Sequence, residues 1–324
     1  MQKRVLAMSE LLAENRTLFV ADKSSIKAIC WELGGLQRHV SSIKDLDKIC
    51  ARLKLPNQFA MLGSDTFYQS NRPVLDMISD CVGRTIAESG VNTNDVDLII
   101  FASSYLSGLP SSITSSTDIA KMLSKNGLKR ALPFSISLHQ CASGLAALDI
   151  ACNYIKCGKA RNVIIVVSEI LSEENERVQP HALYSDAVVS LLVTREQDGI
   201  EVVNYKNELD ILGWNNEGTF ETRKKVVSSS FQSVLDQQEI SIKDVKQIFS
   251  TNFFRPITNH YANMVGIEER KIYSKCSTAH GHCGGCDPFI NFHQAFGEGI
   301  LAQGDYVIFQ SYASAFAANM LLKA

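Results

Sequence analysis

The sequence lacks the features of a nucleic-acid-binding or membrane-spanning chain. Its 324 residues carry a formal net charge of −2, and there is no basic stripe that could contact phosphates, so we expect no nucleic-acid partner. No run of about 18 apolar residues occurs, which argues against a membrane-spanning helix. The apolar stretches near the start are interrupted by Glu10, Glu14, Asn15 and Arg16. They therefore do not resemble a secretory signal, and we expect a cytoplasmic protein with no membrane partner.

Proline is also scarce, at 7 residues, and no low-complexity tract is present, so long disordered segments are not expected. The cysteines number nine, an odd count. In a chain without an export signal this predicts reduced thiols rather than disulfides. Hydrophobic residues make up 45% of the chain, which is enough for a large buried core in one large domain or two of ordinary size.

Two stretches of the chain resemble each other. Residues 91–104 (VNTNDVDLIIFASS) and 240–253 (ISIKDVKQIFSTNF) each have a polar turn, then Asp-Val, then an apolar run typical of a buried strand. Downstream, NVIIVVS matches DYVIFQS, and AVVSLLVT matches FAANMLLK as a closing antiparallel strand. Alternating strands and helices predict an α/β protein. Residues 1–197 and 198–324 are predicted to be two similar halves, with stacked sheets and helices between and outside them.

The repeat brings two chemically interesting turns into equivalent positions. Cys141 and the segment His282–Cys283 both lie where a strand gives way to a helix. If the halves are related by a pseudo-twofold axis, these turns face each other. The repeat therefore predicts a thiol opposite an imidazole at the centre of the molecule.

Cys141 opens a buried helix in the segment HQCASGLAAL. Such a position directs backbone N–H groups and the positive end of the helix dipole at the sulfur, which favours the reactive thiolate. The small residues Ala142, Ser143 and Gly144 allow a tight turn close to a ligand. The pattern therefore favours a nucleophile, although a buried packing cysteine, as expected for Cys152 and Cys157, is the alternative.

The segment HGHCGGC, residues 280–286, allows two interpretations. Cys283 and Cys286 have the spacing of a zinc knuckle, and His280 or Cys276 could complete a tetrahedral set. No second Cys-x-x-Cys pair exists, however, and a helix is predicted to begin near Asp287-Pro288 with Asp287 as its cap. The alternative, which we favour over a metal site, is a glycine turn that presents His282 to Cys141.

Together these motifs resemble the thiolase superfamily, and more narrowly the β-ketoacyl-ACP synthase III-like enzymes, from about residue 70 to the end. HQCASGLAAL resembles the family's nucleophile turn, and GHCGGCDPFINF its Gly-Asn turn. LYSDAVVSLLV resembles its Gly-Asp-Gly segment, with Ser185 and Ala187 in place of glycines. The resemblance implies a thiolase-like, duplicated five-layer αβαβα fold.

The resemblance also implies roles for individual residues. The family uses Cys, His and Asn: Cys141 is the matching nucleophile, His282 stands at the Asn position, and Thr251 stands at the His position with Asn252 next to it. Either of the last two could donate to a thioester carbonyl, although neither is a general base. Backbone N–H groups of Cys141 and Ser314 would form the oxyanion hole.

Two further histidines lie near these motifs. On an extended strand His139 would point the same way as Cys141, so it either lines the site or packs the strand. The segment HYAN, residues 260–263, imitates a family motif but falls nine residues beyond Thr251, and we expect it to lie inside a helix.

From these features we predict an acyltransferase or condensing enzyme with no cofactor and no metal. Cys141 would take an acyl group from CoA or an acyl carrier protein. His282 would assist attack by a malonyl-type carbanion, an amine or an alcohol, in specialised metabolism or in fatty-acid or polyketide synthesis.

Two rival interpretations stay open, a non-catalytic subunit beside an active paralogue and a zinc-binding structural protein. We expect a homodimer, or a heterodimer with a paralogue, in which the strand NVIIVVS pairs across the molecular twofold.

Overall fold

The computed structural model describes residues 23–104, 115–215 and 217–324. The strands are β1 (Ser24–Leu33), β2 (Leu36–His39), β3 (Thr66–Gln69), β4 (Leu98–Ala102), β5 (Leu132–Ile136), β6 (Asn162–Glu169), β7 (Ala187–Thr194), β8 (Ile200–Leu209), β9 (Val245–Phe249), β10 (Tyr306–Tyr312) and β11 (Phe316–Lys323). The helices are α1 (Leu46–Leu53), α2 (Phe59–Leu62), α3 (Val74–Ser89), α4 (Ser116–Lys125), α5 (Ser143–Lys156), α6 (Ile211–Trp214), α7 (Phe220–Asp236), α8 (Arg255–Val265), α9 (Lys275–His280) and α10 (Asp287–Gly297). Within these parts of the chain, no helix has both the length and the apolar character needed to cross a bilayer.

The same strand order occurs in each half. The first half runs β5-β4-β6-β7-β1 and the second runs β9-β10-β11-β8, so the two orders mirror each other. The pairs β4–β6 and β9–β10 are parallel, whereas β7 and β11 return antiparallel to β6 and β10. The predicted closing strands are therefore confirmed. Where the first half has β5, the second has a single parallel bridge between Ile248 and Ile272.

The halves join along a short seam. Only three residue pairs connect β1 to β8, beginning with Ser24 and Val202 and ending with Ile26 and Ile200. We propose that residues 1–197 and 198–324 are two halves of one folding unit, because one hydrophobic cluster includes side chains from both.

The helices lie in three layers around these strands. The outer face of the first half, including Ile99 and Phe101, packs with α3 and α4, whereas the alternate residues Ile100 and Ala102 belong to the central cluster. That central cluster also contains α5, α10 and strands of the second half. On the far side, α7 and α8 pack against β9 and β10. This is the predicted arrangement of five layers. It explains why strands buried on both faces have continuous apolar runs.

The turn into α5 lies against the turn into α10. A Cβ atom on Gly144 would come within 2.9 Å of the Gly285 carbonyl oxygen and of the Phe289 ring. Such an approach is tighter than side chains tolerate, so only glycine lets the two turns meet. The close approach of the two central helices therefore begins at their N-terminal ends, where Cys141 and His282 lie.

One prediction about the sheet is wrong. The strand NVIIVVS, within β6, pairs with β4 on one side and with β7 on the other, so it cannot also pair across a molecular twofold. Its apolar run reflects burial between two helical layers instead. Among the described strands β5 lies at the end of the first half and pairs with β4 alone.

Candidate active site

Cys141 lies in a short 3-10 turn, Gln140–Ala142, which leads directly into α5. Its side chain is almost fully buried, and its Sγ atom lies 3.5 Å from Nε2 of His282. The Cys141 carbonyl oxygen accepts a hydrogen bond of 2.6 Å from the Ser311 hydroxyl. The thiol is therefore held by the second half of the chain at hydrogen-bonding distance from an imidazole.

The backbone of His282 is fixed on both sides. Its N–H donates to the Leu183 carbonyl oxygen and its own carbonyl accepts from the Ser185 N–H, each at 2.8 Å. The preceding residue, Gly281, has a φ of 71°, and a Cβ there would lie 2.8 Å from the Leu183 oxygen. A glycine is thus required for this turn. The predicted glycine turn exists, and its function in the fold is to aim His282 at the cysteine.

A buried carboxylate completes the chain of contacts. Asp287 Oδ2 lies 2.5 Å from Nδ1 of His282. The same carboxylate accepts hydrogen bonds from the Cys283 N–H at 2.8 Å and from the Asn252 N–H at 2.8 Å. Neither His282 nor Asp287 is exposed to solvent. The prediction that Asp287 caps α10 is wrong, because Asp287 is the first residue of that helix and its carboxylate turns back to the histidine.

The charge of this group follows from its neighbours. Burial alone lowers the pKa of His282, but the adjacent Asp287 carboxylate and Cys141 sulfur outweigh it and raise this pKa to about 10. The imidazole therefore carries a proton at neutral pH.

Thr251 and Asn252 lie on the side of the Cys141–His282–Asp287 contacts that faces away from the cavity. The Thr251 hydroxyl accepts a hydrogen bond of 2.9 Å from the Tyr312 N–H. The Asn252 amide donates to the Gly281 carbonyl at 3.1 Å and to Asp287 at 2.9 Å, which occupies both of its protons. The Asn252 amide thus has no proton left for a thioester carbonyl, and neither residue is part of the lining of the cavity at Cys141. Asn252 instead positions the carboxylate that holds His282.

Two other predicted residues flank the nucleophile. The Ser314 N–H donates a hydrogen bond of 3.1 Å to the Gln140 side-chain oxygen Oε1. His139 packs its ring against Phe316, with centroids 5.0 Å apart, and Nδ1 lies 3.2 Å from the Ser137 carbonyl. His139 is absent from the lining of the cavity at Cys141, so its contacts favour the packing role.

A cavity of about 320 Å³ opens on the sulfur. Tyr184 forms part of its wall, with its ring centroid 4.4 Å from that of His282, and its hydroxyl lies 3.1 Å from Nε2 of His181. Burial and the charge of His282 lower the pKa of His181 to about 4, so that His181 is neutral. Away from the Cys141–His282 contact, the cavity is thus lined by aromatic and small uncharged side chains. Its lining is Ser104, Gln140, Cys141, His181, Tyr184, Phe253, Ile257, Tyr261, Tyr312, Ala313 and Ser314.

The other polar residues of HGHCGGC do not assemble around a metal. The Cys286 thiol donates to the Val167 carbonyl at 3.5 Å, and burial raises the pKa of both Cys283 and Cys286 well above the usual value. Across the described residues, no three His, Cys, Asp or Glu side chains converge as a metal-binding group.

Sequence reasoning missed a second buried carboxylate, Glu169 at the end of β6. It accepts hydrogen bonds from the Ser104 N–H and hydroxyl, at 3.1 and 3.0 Å, and from the Gly285 N–H at 3.3 Å. Glu169 therefore ties the His282 turn to the cavity wall at Ser104. Burial is the main reason that the pKa of Glu169 rises to about 7.

We expect Glu169→Gln to stabilise the protein at alkaline pH. An acid whose folded pKa is raised lowers stability progressively as pH rises from its unfolded pKa, about 4.5, to its folded pKa, about 7. The change that the substitution makes in the free energy of unfolding should therefore be more favourable at pH 8 than at pH 4.5 by up to about 3 kcal/mol, since one pKa unit is about 1.4 kcal/mol. Urea unfolding at both pH values measures this. Glu221→Gln, on the exposed surface of α7, is the control, and equal effects of Glu169→Gln at both pH values would contradict the prediction.

Known structures share the fold of this chain. A crystal structure of 3-oxoacyl-[acyl-carrier-protein] synthase III from Aquifex aeolicus superposes with a TM-score of 0.76 at 19% identity, over 93% of this chain and 100% of that one. A Xanthomonas campestris OleA variant with bound lauric acid and lauroyl-CoA gives a TM-score of 0.76 at 14% identity, over 94% of this chain and 99% of that one. The fold is thus thiolase-like, as predicted.

Sequence comparison finds similarity to one group of proteins with this fold. Residues 136–210, which include Cys141, match the family model of 3-oxoacyl-[acyl-carrier-protein (ACP)] synthase III. The β-ketoacyl-[acyl-carrier-protein] synthase III of Clostridium perfringens is 24% identical over 262 residues, which cover 72% of this chain and 79% of that protein. Over most of its length the chain is thus similar to 3-oxoacyl-[acyl-carrier-protein] synthase III enzymes, which are condensing enzymes of the acyltransferase type.

Proposed function

We propose that this chain is an acyltransferase that carries an acyl group on Cys141. The donor is a thioester of CoA or of an acyl carrier protein, and the acyl group passes from Cys141 to a second substrate. The observation that carries the proposal is the continuous contact from Cys141 through His282 to Asp287 at the end of a cavity. Two comparisons support this class of donor. The names of the synthase III relatives include the acyl carrier protein, and the similar OleA structure contains lauroyl-CoA.

The two half-reactions use the same imidazole. In the first, the Cys141 thiolate attacks the thioester carbonyl, and the leaving thiolate takes the proton of the His282 imidazolium. In the second, neutral His282 accepts a proton from the acceptor as it attacks the acyl-cysteine. The Asp287 carboxylate holds Nδ1–H throughout, so that Nε2 is the atom that exchanges protons.

Of the three acceptor classes, the site favours an amine or an alcohol. Decarboxylation of a malonyl-type substrate relies on two donors to its thioester carbonyl, and loss of one such donor costs about a hundredfold or more in rate. Thr251 stands at the second position, but it is buried, its hydroxyl oxygen accepts from the Tyr312 N–H, and it does not line the cavity at Cys141. A base held by a carboxylate is instead suited to deprotonating an attacking N–H or O–H group.

Cys141 is expected to gain the mass of one acyl group when the protein is incubated with a panel of acyl-CoA and acyl-carrier thioesters. Cys141 is the proposed nucleophile and lines the cavity in contact with His282, so Cys141→Ala should gain none. Intact-mass spectrometry measures the adduct. Cys157→Ala is the matched control, because Cys157 is exposed rather than buried as expected from the sequence, and it lies outside the cavity. Equal adducts on wild type and Cys141→Ala would reject the proposal.

We further propose a dimer formed through the edge strand β5, and a cytoplasmic location as for an enzyme of CoA thioesters. The side chains of Leu132 and Phe134 on this strand are 57% and 38% exposed. An apolar edge strand pairs readily with another strand.

Light scattering after gel filtration should give a dimer, and Leu132→Asp with Phe134→Asp should give a monomer. Phe296→Asp, an equally large exposed side chain on α10, should leave the dimer intact. A monomeric wild type at micromolar concentration would contradict the homodimer and leave pairing with a paralogue.

A further inference from the structure

The residue before the nucleophile occupies an unusual place. Gln140 Oε1 accepts the Ser314 N–H at 3.1 Å, and Gln140, Cys141 and Ser314 line the same cavity. The Ser314 N–H was expected to bind the oxyanion directly. We propose that the side-chain amide of Gln140 binds it instead, and that Gln140 is a catalytic residue of the acyl transfer proposed above, on which this inference rests.

The hydrogen bond to Ser314 fixes which way the amide points. A backbone N–H can only donate, so the group facing it must be the oxygen of Gln140, and the NH₂ group is turned away from Ser314. Because Gln140 directly precedes Cys141 and both line this cavity, we place the NH₂ group within reach of a carbonyl bound at Cys141. The Ser314 N–H also polarises the amide, which strengthens the hydrogen bond that its NH₂ group donates.

The backbone of this turn is held in an unfavourable conformation. Gln140 has a φ of 51° and Leu138 a φ of 70°, in the left-handed region that costs about 1 kcal/mol or more for a residue other than glycine. Such conformations persist where surrounding contacts enforce them, and they cluster at functional sites. Here Ser311 holds the Cys141 carbonyl and Ser314 holds the Gln140 side chain. The donor is therefore positioned before substrate binds, as electrostatic catalysis requires.

The step that Gln140 would assist is the formation and collapse of the tetrahedral intermediate. The Cys141 sulfur forms a bond to the carbonyl carbon, and the π electrons of the C=O bond move to oxygen. The Gln140 NH₂ group donates a hydrogen bond to that oxyanion. The electrons then re-form the C=O bond, the bond to the leaving thiolate breaks, and this thiolate takes the proton from His282.

A different role for Gln140, as a group that blocks the Ser314 N–H, predicts the opposite effect on the rate of acylation. If Gln140 merely occupied the place of the thioester oxygen on Ser314, substrate would have to displace it, and removing its amide would speed acylation. Gln140→Met keeps the length of the side chain and a Cβ atom at the same φ, but removes the donor. Gln140→Glu keeps an acceptor for Ser314 but presents a negative oxygen to the oxyanion.

The experiment compares two reactions of Cys141 in the full chain. Rapid quench and intact mass give the rate of acylation by an acyl-CoA that modifies wild type, and iodoacetamide gives the rate of an alkylation in which no oxyanion forms. For Gln140→Met and Gln140→Glu we expect acylation to slow by about a hundredfold to a thousandfold, the usual loss for one oxyanion donor. Alkylation should stay as in wild type for the uncharged Gln140→Met, which is the deciding variant, whereas the carboxylate of Gln140→Glu also disfavours the thiolate and slows alkylation.

Each other outcome overturns a distinct statement. Acylation that is unchanged or faster in Gln140→Met overturns the donor role of Gln140. An equal loss of acylation and alkylation in Gln140→Met also overturns it, because Gln140 would then act on the thiol or the turn. A wild type that is alkylated but never acylated by any thioester overturns the proposed function itself, independently of Gln140.

Discussion

His282→Ala is expected to slow acyl transfer by about a hundredfold to ten-thousandfold, the usual loss when a general acid–base group is removed. His282 Nε2 lies 3.5 Å from the Cys141 sulfur, and its pKa of about 10 keeps it protonated in the resting site. Without the imidazole the thiolate loses its counter-charge, and both the leaving thiolate and the acceptor lose their proton partner. Single-turnover acylation and steady-state transfer to an amine or alcohol measure the two losses separately.

Two further variants sharpen this prediction. His282→Asn restores the amide usual at this position in the family the sequence resembles, but an amide cannot accept a proton, so we expect little rescue. His260→Ala tests the rival motif HYAN, which lies in α8 as predicted, with His260 exposed and its ring against Phe220. It should retain activity. Loss of turnover in His260→Ala, with a tolerated His282→Ala, would mean that the catalytic histidine had been assigned to the wrong turn.

The duplication was the most informative feature of the sequence. Because equivalent strand–helix turns face each other in a duplicated layered fold, the repeat alone predicted that Cys141 and His282 would meet, and the structure has these side chains in contact. The apolar runs of β7 and β11 likewise predicted closing antiparallel strands. These inferences succeeded because they rest on local periodicity and on a symmetry that is visible in the sequence.

The features that could not be predicted depend on tertiary geometry. An Asp-Pro pair at the start of a helix has the same appearance whether its carboxylate caps the helix or turns back to a histidine, and only the packing of Asn252 decides this for Asp287. The apolar run of β6 indicated burial but not which strands adjoin it. The contact of Gln140 with Ser314 requires a left-handed backbone that no residue type signals. For the contact between His282 and Asp287, the only signal in the sequence was their separation of five residues.

Asp287→Asn is expected to lower the rate of acyl transfer by about a thousandfold to ten-thousandfold, by analogy with the effect of removing the carboxylate of a Ser-His-Asp triad. The carboxylate accepts from His282 Nδ1, from two backbone N–H groups and from the Asn252 amide. An asparagine must point its NH₂ group at some of these donors, so hydrogen bonds are lost. If the NH₂ group faces His282, the imidazole proton moves to Nε2, where it can no longer accept one.

The pH dependence separates this effect from simple loss of structure. His282 is charged below its pKa, which Asp287 helps to raise to about 10. Its contribution to stability is therefore fully present below pH 6.5 and is lost as pH rises through 10. In Asp287→Asn the alkaline fall in the rate of acylation, a step in which His282 gives its proton to the leaving thiolate, should move to lower pH. The difference in unfolding free energy from wild type should shrink as pH rises from 6.5 to 10. A variant with a wild-type rate and an unmoved alkaline limb would show that Asp287 does not position His282.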